Sequence, residues 1–389
     1  MLTFDSDIII QKLKETLNYP NEFVSLHEPF FTGNENKYIK ECIDTGWVSY
    51  LGKFVDKFET QLSEYTGLKH SLAMVNGTSA LHIALILAGI KKEDEVLIPT
   101  LTFIATANAV SYCNAIPHFI DSEEETLGID PLKLEEYLNE ISILKDDGCI
   151  NKYTNRKIKA LIVMHAFGHP ALLDEILEVC NKYKIILIED AAESLGSYYK
   201  GKHTGNWGLI SVLSFNGNKI LTTGGGGAIL TNDSEVAKRG KHLSTTAKVP
   251  QPFFFEHDEI GYNYRMPNVN AAIGCAQMEK LSGFIESKRK LTEKYSKNFE
   301  SIKGIKLLKE PKNAKSNYWL NVLLLDKENI KFRDEILNKS NKEGIMTRPA
   351  WNLMHLQKMY KDCPRMDLSV AENLQPRIIN IPSSPQLLK

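Results

Sequence analysis

The chain has 389 residues, of which 43% are hydrophobic, so it is long enough to bury a large core in one large and one small domain. Its 47 basic and 48 acidic side chains leave a net charge of -1, which excludes the strong positive field of a nucleic-acid or anionic-membrane binder. The six cysteines are scattered without a CxxC pair, and no apolar run reaches the length of a membrane span. We therefore expect a soluble, cytoplasmic protein with free thiols.

Strand and helix patterns alternate along much of the chain. After an amphipathic start near residues 6–17, apolar residues at helical spacing precede a predicted strand over 71–75. The further predicted elements are strands at 95–98, 116–120, 158–164, 185–188, 210–215 and 318–325 and helices at 102–112, 171–184 and 332–337. The alternation is typical of a mostly parallel sheet that is covered by helices.

The remaining segments suggest a division into two domains. The polar stretch 144–157 lacks periodicity and is interpreted as a surface excursion. A long helical region over 269–299 leads out of the large domain toward a smaller α+β domain. We therefore expect a large domain over 1–265, which includes the N-terminal segment, and a connecting helix with a smaller domain over 266–389.

One segment, from Ile188 to Gly227, holds an acid, a lysine and a run of four glycines. Asp190 ends a short apolar strand, at the edge where open α/β sheets place their ligands. Lys219 follows the next strand in a loop whose glycines allow it to lie close to a ligand. A carboxylate and an amine that converge in this way suit a cofactor with a basic ring nitrogen and an aldehyde, which is pyridoxal phosphate.

The motif VNGTSALH follows a predicted strand and opens a helix. Gly77, Thr78 and Ser79 therefore present backbone N–H groups and hydroxyls at a helix N-terminus, which is a ready anion site. A simple capped helix explains the same residues equally well, so the phosphate interpretation depends on the presence of Lys219 in the same predicted site. Ser214 would add a hydroxyl to the same phosphate.

Most of these residues also have a plainer explanation. Phe103 lies just past a predicted strand and could stack on a cofactor ring, but core packing is the commoner role of a Phe. Asp190 could cap the next helix, and Lys219 could be a solvated surface lysine. The glycine run lacks the GK[ST] ending of nucleotide-binding loops, and HAFGHP has no carboxylate or cysteine at metal-ligand spacing. We therefore expect neither a nucleotide loop nor a metal.

These motifs, in this order, resemble the sugar aminotransferases of the DegT/DnrJ/StrS type, which are fold-type I pyridoxal-phosphate enzymes. The resemblance covers nearly the whole chain and rests on TGWVSYLGKFVDKFE, NGTSAL, PTLTFIATANA, HAFGHP, EDAAE, SFNGNK, TTGGGG, GYNYRMPNVNAAIG and TRPAWNLMH. It implies an α/β fold with a large, mainly parallel-sheet domain and a smaller α+β C-terminal domain. It also implies a homodimer whose active site lies at the subunit interface.

The resemblance further implies roles for individual residues. Lys219 is the Schiff-base lysine and moves the proton, and Asp190 is the partner of the pyridine nitrogen. The other implied contacts are Thr78, Ser79, Ser214 and a neighbouring subunit's Asn263 at the phosphate, Phe103 on the ring, and Trp47, Ser49, Arg348 and His355 beside the sugar nucleotide.

Two positions depart from the commoner family pattern. Glu193 stands where many relatives carry Gln or His near the phenolic oxygen of the cofactor, and four glycines replace GEGG. Because two negative oxygens side by side repel, we expect Glu193 to be protonated or turned away. Both departures, with the extended N-terminus, resemble the subgroup that makes 4-amino-4,6-dideoxy sugars for bacillosamine or legionaminic acid.

The activity implied by the resemblance is the transfer of an amino group from L-glutamate to C4 of a nucleotide-linked 4-keto-6-deoxy hexose. The nucleotide is UDP or GDP, an N-acetylhexosamine is the favoured sugar, and the product would serve lipopolysaccharide or flagellin glycans. Perosamine-type enzymes, which use a GDP-sugar without the acetamido group, are the nearest alternative. Related dehydratases carry histidine in place of Lys219. A sensor that holds pyridoxal phosphate without turnover is the alternative from a different class.

Overall fold

The computed structural model describes residues 4–388 and contains a nine-stranded sheet, a four-stranded sheet and two shorter sheets. Its α-helices are α1 (Ser6–Thr16), α2 (Glu35–Thr45), α3 (Lys53–Thr66), α4 (Gly77–Leu87), α5 (Ile104–Tyr112), α6 (Pro131–Ile141), α7 (Leu173–Lys182), α8 (Ser234–Ser244), α9 (Asn268–Met278), α10 (Leu281–Phe299), α11 (Arg333–Lys342) and α12 (Ser369–Leu374). No helix within these described residues combines the length and the apolar character needed to cross a membrane.

The strands follow the same chain order. They are β1 (His70–Met74), β2 (Glu95–Pro99), β3 (Ile116–Ile120), β4 (Ser142–Lys145), β5 (Gly148–Asn151), β6 (Lys157–Met164), β7 (Ile186–Asp190), β8 (Tyr198–Tyr199), β9 (Lys202–His203), β10 (Ile210–Ser214), β11 (Gly227–Thr231), β12 (Lys248–Val249), β13 (Glu256–His257), β14 (Ile305–Leu307), β15 (Ala314–Lys315), β16 (Asn321–Leu325), β17 (Arg348–Pro349) and β18 (Ile378–Ile381). Short 3-10 helices lie at Ala166–Gly168, Lys327–Phe332, Met354–Leu356, Gln375–Arg377 and Pro385–Leu388.

The nine-stranded sheet is mostly parallel, which confirms the prediction from the alternating pattern. Its main path runs β1-β11-β10-β7-β6-β2-β3, and only β11 is antiparallel to its neighbours along that path. Apolar strand residues pack against α4, α5 and α8 in one cluster and against α6 and α7 in another. Because helices cover the sheet in this way, its central strands are buried and almost continuously apolar.

Several strand ends meet at one edge of this sheet, and this edge positions the candidate site. Asp190 at the end of β7 pairs with Met164 at the end of β6. Gly227 at the start of β11 pairs with Ser214 of β10 on one side and with Met74 of β1 on the other. The loop that leads from β1 into α4 therefore begins beside the loops that follow β7 and β10.

A buried glutamate fixes the backbone next to Asp190. Glu189 accepts hydrogen bonds from the backbone N–H groups of Gly205 at 2.6 Å, Trp207 at 2.6 Å and Gly208 at 2.8 Å. Burial raises the pKa of Glu189, but its other partner, His165, and these N–H groups outweigh burial and hold the pKa below its usual value. The carboxylate is thus satisfied inside the protein, and it anchors the end of β7.

The four-stranded sheet is antiparallel and runs β14-β16-β18-β17. Helix α1 packs on α10 and α11, and its Ile9 and Leu13 share an apolar cluster with Leu291 and Ile381. The N-terminal helix, which we assigned to the large domain, therefore lies beside the smaller sheet. The division at residue 265 stays a prediction.

Two other segments differ from the sequence prediction. Residues 144–157, interpreted as a surface excursion, contain part of a hairpin, and β5 of that hairpin pairs with β6. Its four-residue strands are too short to show a clear period of two. The predicted helical region 269–299 is two helices, since α9 ends at Met278 and α10 begins at Leu281. No glycine or proline marks this break in the sequence.

Candidate active site

A cavity of about 300 Å³ lies at this edge of the large sheet, and we name it the cofactor cavity. Loops that follow β1, β2, β7 and β10 line it, together with two tryptophans from later in the chain, Trp319 and Trp351. The predicted cofactor residues that the fold brings together in its walls are Gly77, Thr78, Phe103, Asp190, Glu193, Ser214 and Lys219.

The amine of Lys219 is enclosed by the cavity walls. Its Nζ lies 3.2 Å from Oε1 of Glu193 and 3.9 Å from the ring centroid of Trp319, and only 13% of the side chain is exposed. The Trp319 ring is itself fixed, because its Nε1 donates to the carbonyl oxygen of Asn218 at 2.7 Å. A lysine in this position is not a solvated surface lysine, so the plainer explanation fails.

Asp190 presents a buried carboxylate to the same cavity. Thr106 Oγ1 donates to its Oδ2 at 2.8 Å, and the N–H of Ala192 lies 3.3 Å from its Oδ1. Burial raises the pKa of Asp190 above its ordinary value, although the Thr106 hydrogen bond acts in the opposite direction. Within residues 4–388 no lysine or arginine forms an ion pair with it, and no α-helix follows it directly. A cationic ring nitrogen would supply the missing partner.

Glu193 is not turned away from the cavity. Besides its contact with Lys219, its Oε2 accepts a hydrogen bond from the N–H of Phe167 at 2.9 Å. Burial raises the pKa of Glu193 to about 7, even though Lys219 favours the ionised carboxylate. Near neutral pH a large fraction of this carboxyl is therefore protonated, which agrees with the first of the two expectations for this residue.

The N-terminus of α4 also lines the cofactor cavity. The N–H groups of Gly77 and Thr78 lie in its first turn, where no helical carbonyl is available to them. A side chain at Gly77 would place its Cβ 3.0 Å from Cβ of Ser214, so any larger residue there would have to displace Ser214 by a few tenths of an ångström. Ser79 differs from its neighbours, because its N–H donates to Oδ1 of Asn76 at 2.7 Å and it does not line the cavity.

The sequence analysis missed several residues of this cavity. Asn76 directly precedes α4, and the known preference for Asn at helix N-caps was a signal for it. Trp319 and Trp351 had no such signal, because they lie 100 and 132 residues after Lys219 in the chain. Phe103 lines the cavity and is 51% exposed, so core packing does not explain it, and its contact with a cofactor ring stays a prediction.

The predicted substrate residues are more dispersed. Arg348 lines a neighbouring cavity of about 490 Å³. His355 has partners at both ring nitrogens, with Thr100 Oγ1 at 2.7 Å and Glu372 Oε1 at 3.1 Å. These contacts occupy the ring nitrogens of His355, so its predicted role beside a substrate stays a prediction.

Trp47, Ser49 and Asn263 do not line the cofactor cavity of their own chain. The carbonyl oxygens of Trp47 and Ser49 accept hydrogen bonds from Asn268, at 2.6 Å and 2.8 Å, and the Trp47 side chain is largely exposed. Asn263 is exposed and pairs with Thr245 through a single backbone bridge. Within one chain, these three residues are therefore not part of the site.

The cofactor cavity fits pyridoxal phosphate in its chemistry. An amine at Lys219 suits the aldehyde, a buried carboxylate at Asp190 without a cationic partner suits the ring nitrogen, and the first turn of α4 suits the phosphate. Phe103 adds an aromatic ring to the cavity wall.

The chain belongs to the DegT/DnrJ/EryC1/StrS aminotransferase family, whose pattern matches residues 30–389. It is 38% identical over 366 residues to the GDP-perosamine synthase of Escherichia coli O157:H7, with 94% of each chain covered. Over 353 residues it is 34% identical to the UDP-4-amino-4,6-dideoxy-N-acetyl-beta-L-altrosamine transaminase of Campylobacter jejuni subsp. jejuni serotype O:23/36, covering 90% of this chain and 89% of that one. A DegT DnrJ EryC1 StrS aminotransferase from Brucella abortus has a similar crystal structure, with a TM-score of 0.82, 27% identity and 91% of each chain covered.

These similarities confirm the predicted fold-type I architecture, the predicted cofactor and the predicted class of enzyme. The protein is a pyridoxal-phosphate-dependent nucleotide-sugar aminotransferase. The roles of its individual residues are not tested by these similarities and stay predictions.

The raised pKa of Glu193 predicts a pH-dependent stability of the cofactor-free protein. Because the folded state holds a proton up to about pH 7 that the unfolded state loses near its ordinary pKa of 4.5, the stabilising effect of this carboxyl is lost as pH rises through this range. Relative to Glu193→Gln, the wild-type free energy of unfolding should fall by about 2 kcal/mol between pH 5 and pH 8. Urea denaturation of both proteins measures this difference. Glu64→Gln, a change at an exposed glutamate, is the control. If the difference in free energy of unfolding between the wild type and Glu193→Gln did not change with pH, the prediction would be contradicted.

Replacement of Asp190 by Asn should preserve the Thr106 hydrogen bond and remove the negative charge from the cavity. We expect the amino transfer from glutamate to slow by roughly 10²–10³-fold, as when one preorganised charge-stabilising group is removed. Rapid-mixing absorbance measurements with glutamate provide the rate. Asp121→Asn, which changes another buried acid, should keep a near-normal rate. A near-normal rate in Asp190→Asn would show that another group supplies the charge.

Proposed function

We propose that this enzyme transfers the amino group of L-glutamate to C4 of a nucleotide-linked 4-keto-6-deoxy N-acetylhexosamine. The product is a 4-amino-4,6-dideoxy sugar for glycans of the bacillosamine or legionaminic-acid type. The observation that carries the proposal is the enclosed amine of Lys219 beside the buried carboxyls of Asp190 and Glu193. The Campylobacter relative supports the choice of sugar, since its name describes a UDP-linked 4-amino-4,6-dideoxy sugar with an N-acetyl group.

A second candidate is the amination of a GDP-sugar without the acetamido group. The Escherichia coli relative, which is named as a GDP-perosamine synthase and is 38% identical to this chain, favours this candidate. Both candidates use the same site and differ in the nucleotide and in the sugar.

The residues of the cofactor cavity divide the work of binding and charge stabilisation. When bound, pyridoxal phosphate supplies an aldehyde that takes up the amino group and a ring that stabilises negative charge on the amino carbon. Asp190 favours a protonated ring nitrogen, because it places a buried negative charge beside it. Gly77 and Thr78 hold the phosphate through N–H groups at the positive end of α4.

Lys219 moves the proton in this proposal. Its free amine would remove a proton from the α-carbon of glutamate and, in the second half of the reaction, would deliver one to C4 of the sugar. The Trp319 ring stabilises the cationic form of the amine, and Glu193 accepts a hydrogen bond from it. These two contacts hold the free amine inside the cavity, away from bulk water.

A substrate panel tests the proposed function. Purified enzyme is loaded with pyridoxal phosphate and given glutamate with UDP- or GDP-linked 4-keto-6-deoxy sugars, with and without a C2 acetamido group. We expect amination at C4 of an acetamido sugar, identified by mass spectrometry and NMR. Lys219→Ala should lower the rate by at least about 10³-fold, since it removes both the covalent anchor and the proton carrier.

Three results of this panel would change the conclusion. Preference for the GDP-sugar without the acetamido group would favour the second candidate. Failure to form 2-oxoglutarate from glutamate would support a sensor that binds the cofactor without turnover. Robust transfer by Lys219→Ala would remove the basis of the proposal, and Lys202→Ala, a change at a surface lysine, controls for a general effect of losing a lysine.

We also propose a homodimer in which the partner's Asn263 reaches the cofactor phosphate. The loop that precedes Asn263 leaves Phe253, Phe254, Phe255 and Ile260 at least 75% exposed. Adjacent apolar side chains with this exposure mark an interaction surface. A second copy of the chain would cover these side chains. Asn263, which does not line the cofactor cavity of its own chain, would then reach the cofactor cavity of the other copy.

Replacement of Phe254 by Asp should weaken this dimer, because a charge at a buried apolar contact must be desolvated. We expect a shift toward monomer in analytical ultracentrifugation and faster loss of pyridoxal phosphate on dialysis. Tyr153→Asp changes another highly exposed aromatic side chain, outside this loop, and should leave the mass of the assembly unchanged. A wild-type monomer, or a Phe254→Asp protein that stays fully dimeric, would contradict the proposal.

A further inference from the structure

The second cavity, of about 490 Å³, adjoins the cofactor cavity, and we name it the side cavity. The two cavities share Asn218, Trp319 and Trp351 in their walls. Much of the remaining wall of the side cavity is apolar and comes from Leu26, Leu320, Met346 and Ala350. Its other polar side chains are those of His27, Arg348 and Asn380. The shared residues place the side cavity directly beside the cavity that holds Lys219.

Two polar side chains of the side cavity have hydrogen-bonding atoms without a partner in the described part of the chain. Asn380 is 3% exposed, and its Nδ2 donates to the carbonyl oxygen of Pro349 at 3.3 Å, but its Oδ1 accepts nothing. Both ring nitrogens of His27 are likewise covered and unpaired. A buried polar atom without a partner is costly, so a ligand or a bound water that supplies the partner would be stabilised at these two side chains.

The protein fixes His27 and Asn380 on neighbouring segments. On either side of His27, the carbonyl oxygen of Leu26 accepts from the N–H of Ser383 at 2.8 Å, and the N–H of Glu28 donates to Ser384 Oγ at 3.0 Å. Ser383 and Ser384 closely follow β18, the strand that carries Asn380. The segment around His27 is thus tied to the chain just beyond Asn380.

Arg348 lies directly opposite Asn380 in the pairing of β17 with β18. Directly opposed residues of an antiparallel pair share one face of the sheet, with Cβ atoms about 4.5–5.5 Å apart. Arg348, a predicted substrate residue, and Asn380, with its unpaired Oδ1, therefore lie close together in the wall of the side cavity.

The hydrogen-bonding capacity of these groups selects the ligand. Burial, together with the nearby Lys288 and Lys219, lowers the pKa of His27 well below its usual value, so its ring is neutral and has one donor and one acceptor. Asn380 Oδ1 can only accept. A secondary acetamide offers one N–H, one carbonyl oxygen and a methyl group for the apolar wall. A carboxylate could pair with Arg348 but has no N–H for Asn380 Oδ1, and a hydroxyl has no apolar part.

We infer that His27 and Asn380 form a specificity subsite for the acetamido group of the sugar substrate. Asn380 Oδ1 accepts from the acetamido N–H, His27 donates to the acetamido carbonyl oxygen, and the methyl group contacts the apolar wall. This inference rests on the proposed function, and it names the residues that distinguish the two candidate substrates. Neither residue touches the reacting atoms, so their effect is on substrate choice.

Four enzymes test this subsite: the wild type, Asn380→Leu, His27→Phe and His27→Gln. Each is assayed with the same 4-keto-6-deoxy nucleotide sugar carrying either an acetamido or a hydroxyl group at C2. Asn380→Leu and His27→Phe should each lower kcat/KM about tenfold for the acetamido substrate, mainly through KM, because each removes one buried hydrogen bond. The hydroxyl substrate should change by less than about twofold, and His27→Gln, which keeps an N–H donor, should recover most of the loss.

His169→Phe is the matched control. His169 is fully buried with two unpaired ring nitrogens, but it does not line the side cavity, so the ratio of the two kcat/KM values should not change. Equilibrium binding of the aminated acetamido product provides a readout without turnover, and its Kd should rise about tenfold in Asn380→Leu and His27→Phe.

Equal losses of kcat/KM with both sugars would overturn the inference, because they would show that His27 and Asn380 have a structural role. A product Kd that does not change would also overturn it, because it would show that these residues do not bind the acetamido group. The failure of the proposed function is distinguishable, since it appears in the wild type before any substitution is made. In that case the enzyme forms 2-oxoglutarate from glutamate and aminates neither keto sugar. Normal formation of 2-oxoglutarate by each variant establishes that it folds and holds the cofactor.

Discussion

The enclosure of one amine among buried acids is the constraint on which the rest of the site depends. Lys219, Glu193 and Asp190 are three ionisable groups in a space largely shielded from water, where the charged form of each is expensive unless a partner compensates it. Lys219 and Glu193 partly compensate each other, and Asp190 has only neutral donors. In the proposed function, the protonated ring nitrogen of the cofactor supplies the cation that Asp190 lacks.

Hydrogen bonds and ring stacking in the surrounding elements hold these buried groups in position. Glu189 takes up three backbone N–H groups and anchors β7, so Asp190 has a defined position at the sheet edge. The N–H of Phe167 holds one oxygen of Glu193, and the Phe167 ring stacks on Trp351 with centroids 4.9 Å apart. Elements with no chemical role of their own therefore fix the reactive groups, as a preorganised site requires.

The two adjoining cavities suggest how one site handles two unlike substrates. In the proposed mechanism, every amino transfer uses the charged groups of the cofactor cavity, whichever molecule donates or receives the amine. The side cavity is more apolar and combines the neutral groups of His27 and Asn380 with Arg348, which suits a substituent of a nucleotide sugar. Its wall is held by Lys288, a buried lysine whose Nζ donates to the carbonyl oxygens of Trp319 and Ser383 and so ties the shared wall to the smaller sheet.

The sequence by itself determined the alternating α/β pattern, the positions of Asp190 and Lys219 after two strands, and the helix N-terminus at Gly77. These features follow from local spacing, because apolar periodicity decides where strands end and parallel strands place their ends at one edge. Only the tertiary structure decided the contribution of Trp319, the side cavity at His27 and Asn380, and the location of α1 beside the smaller sheet. Those contacts join segments that are far apart in the chain, and no local period encodes which distant surfaces pack together.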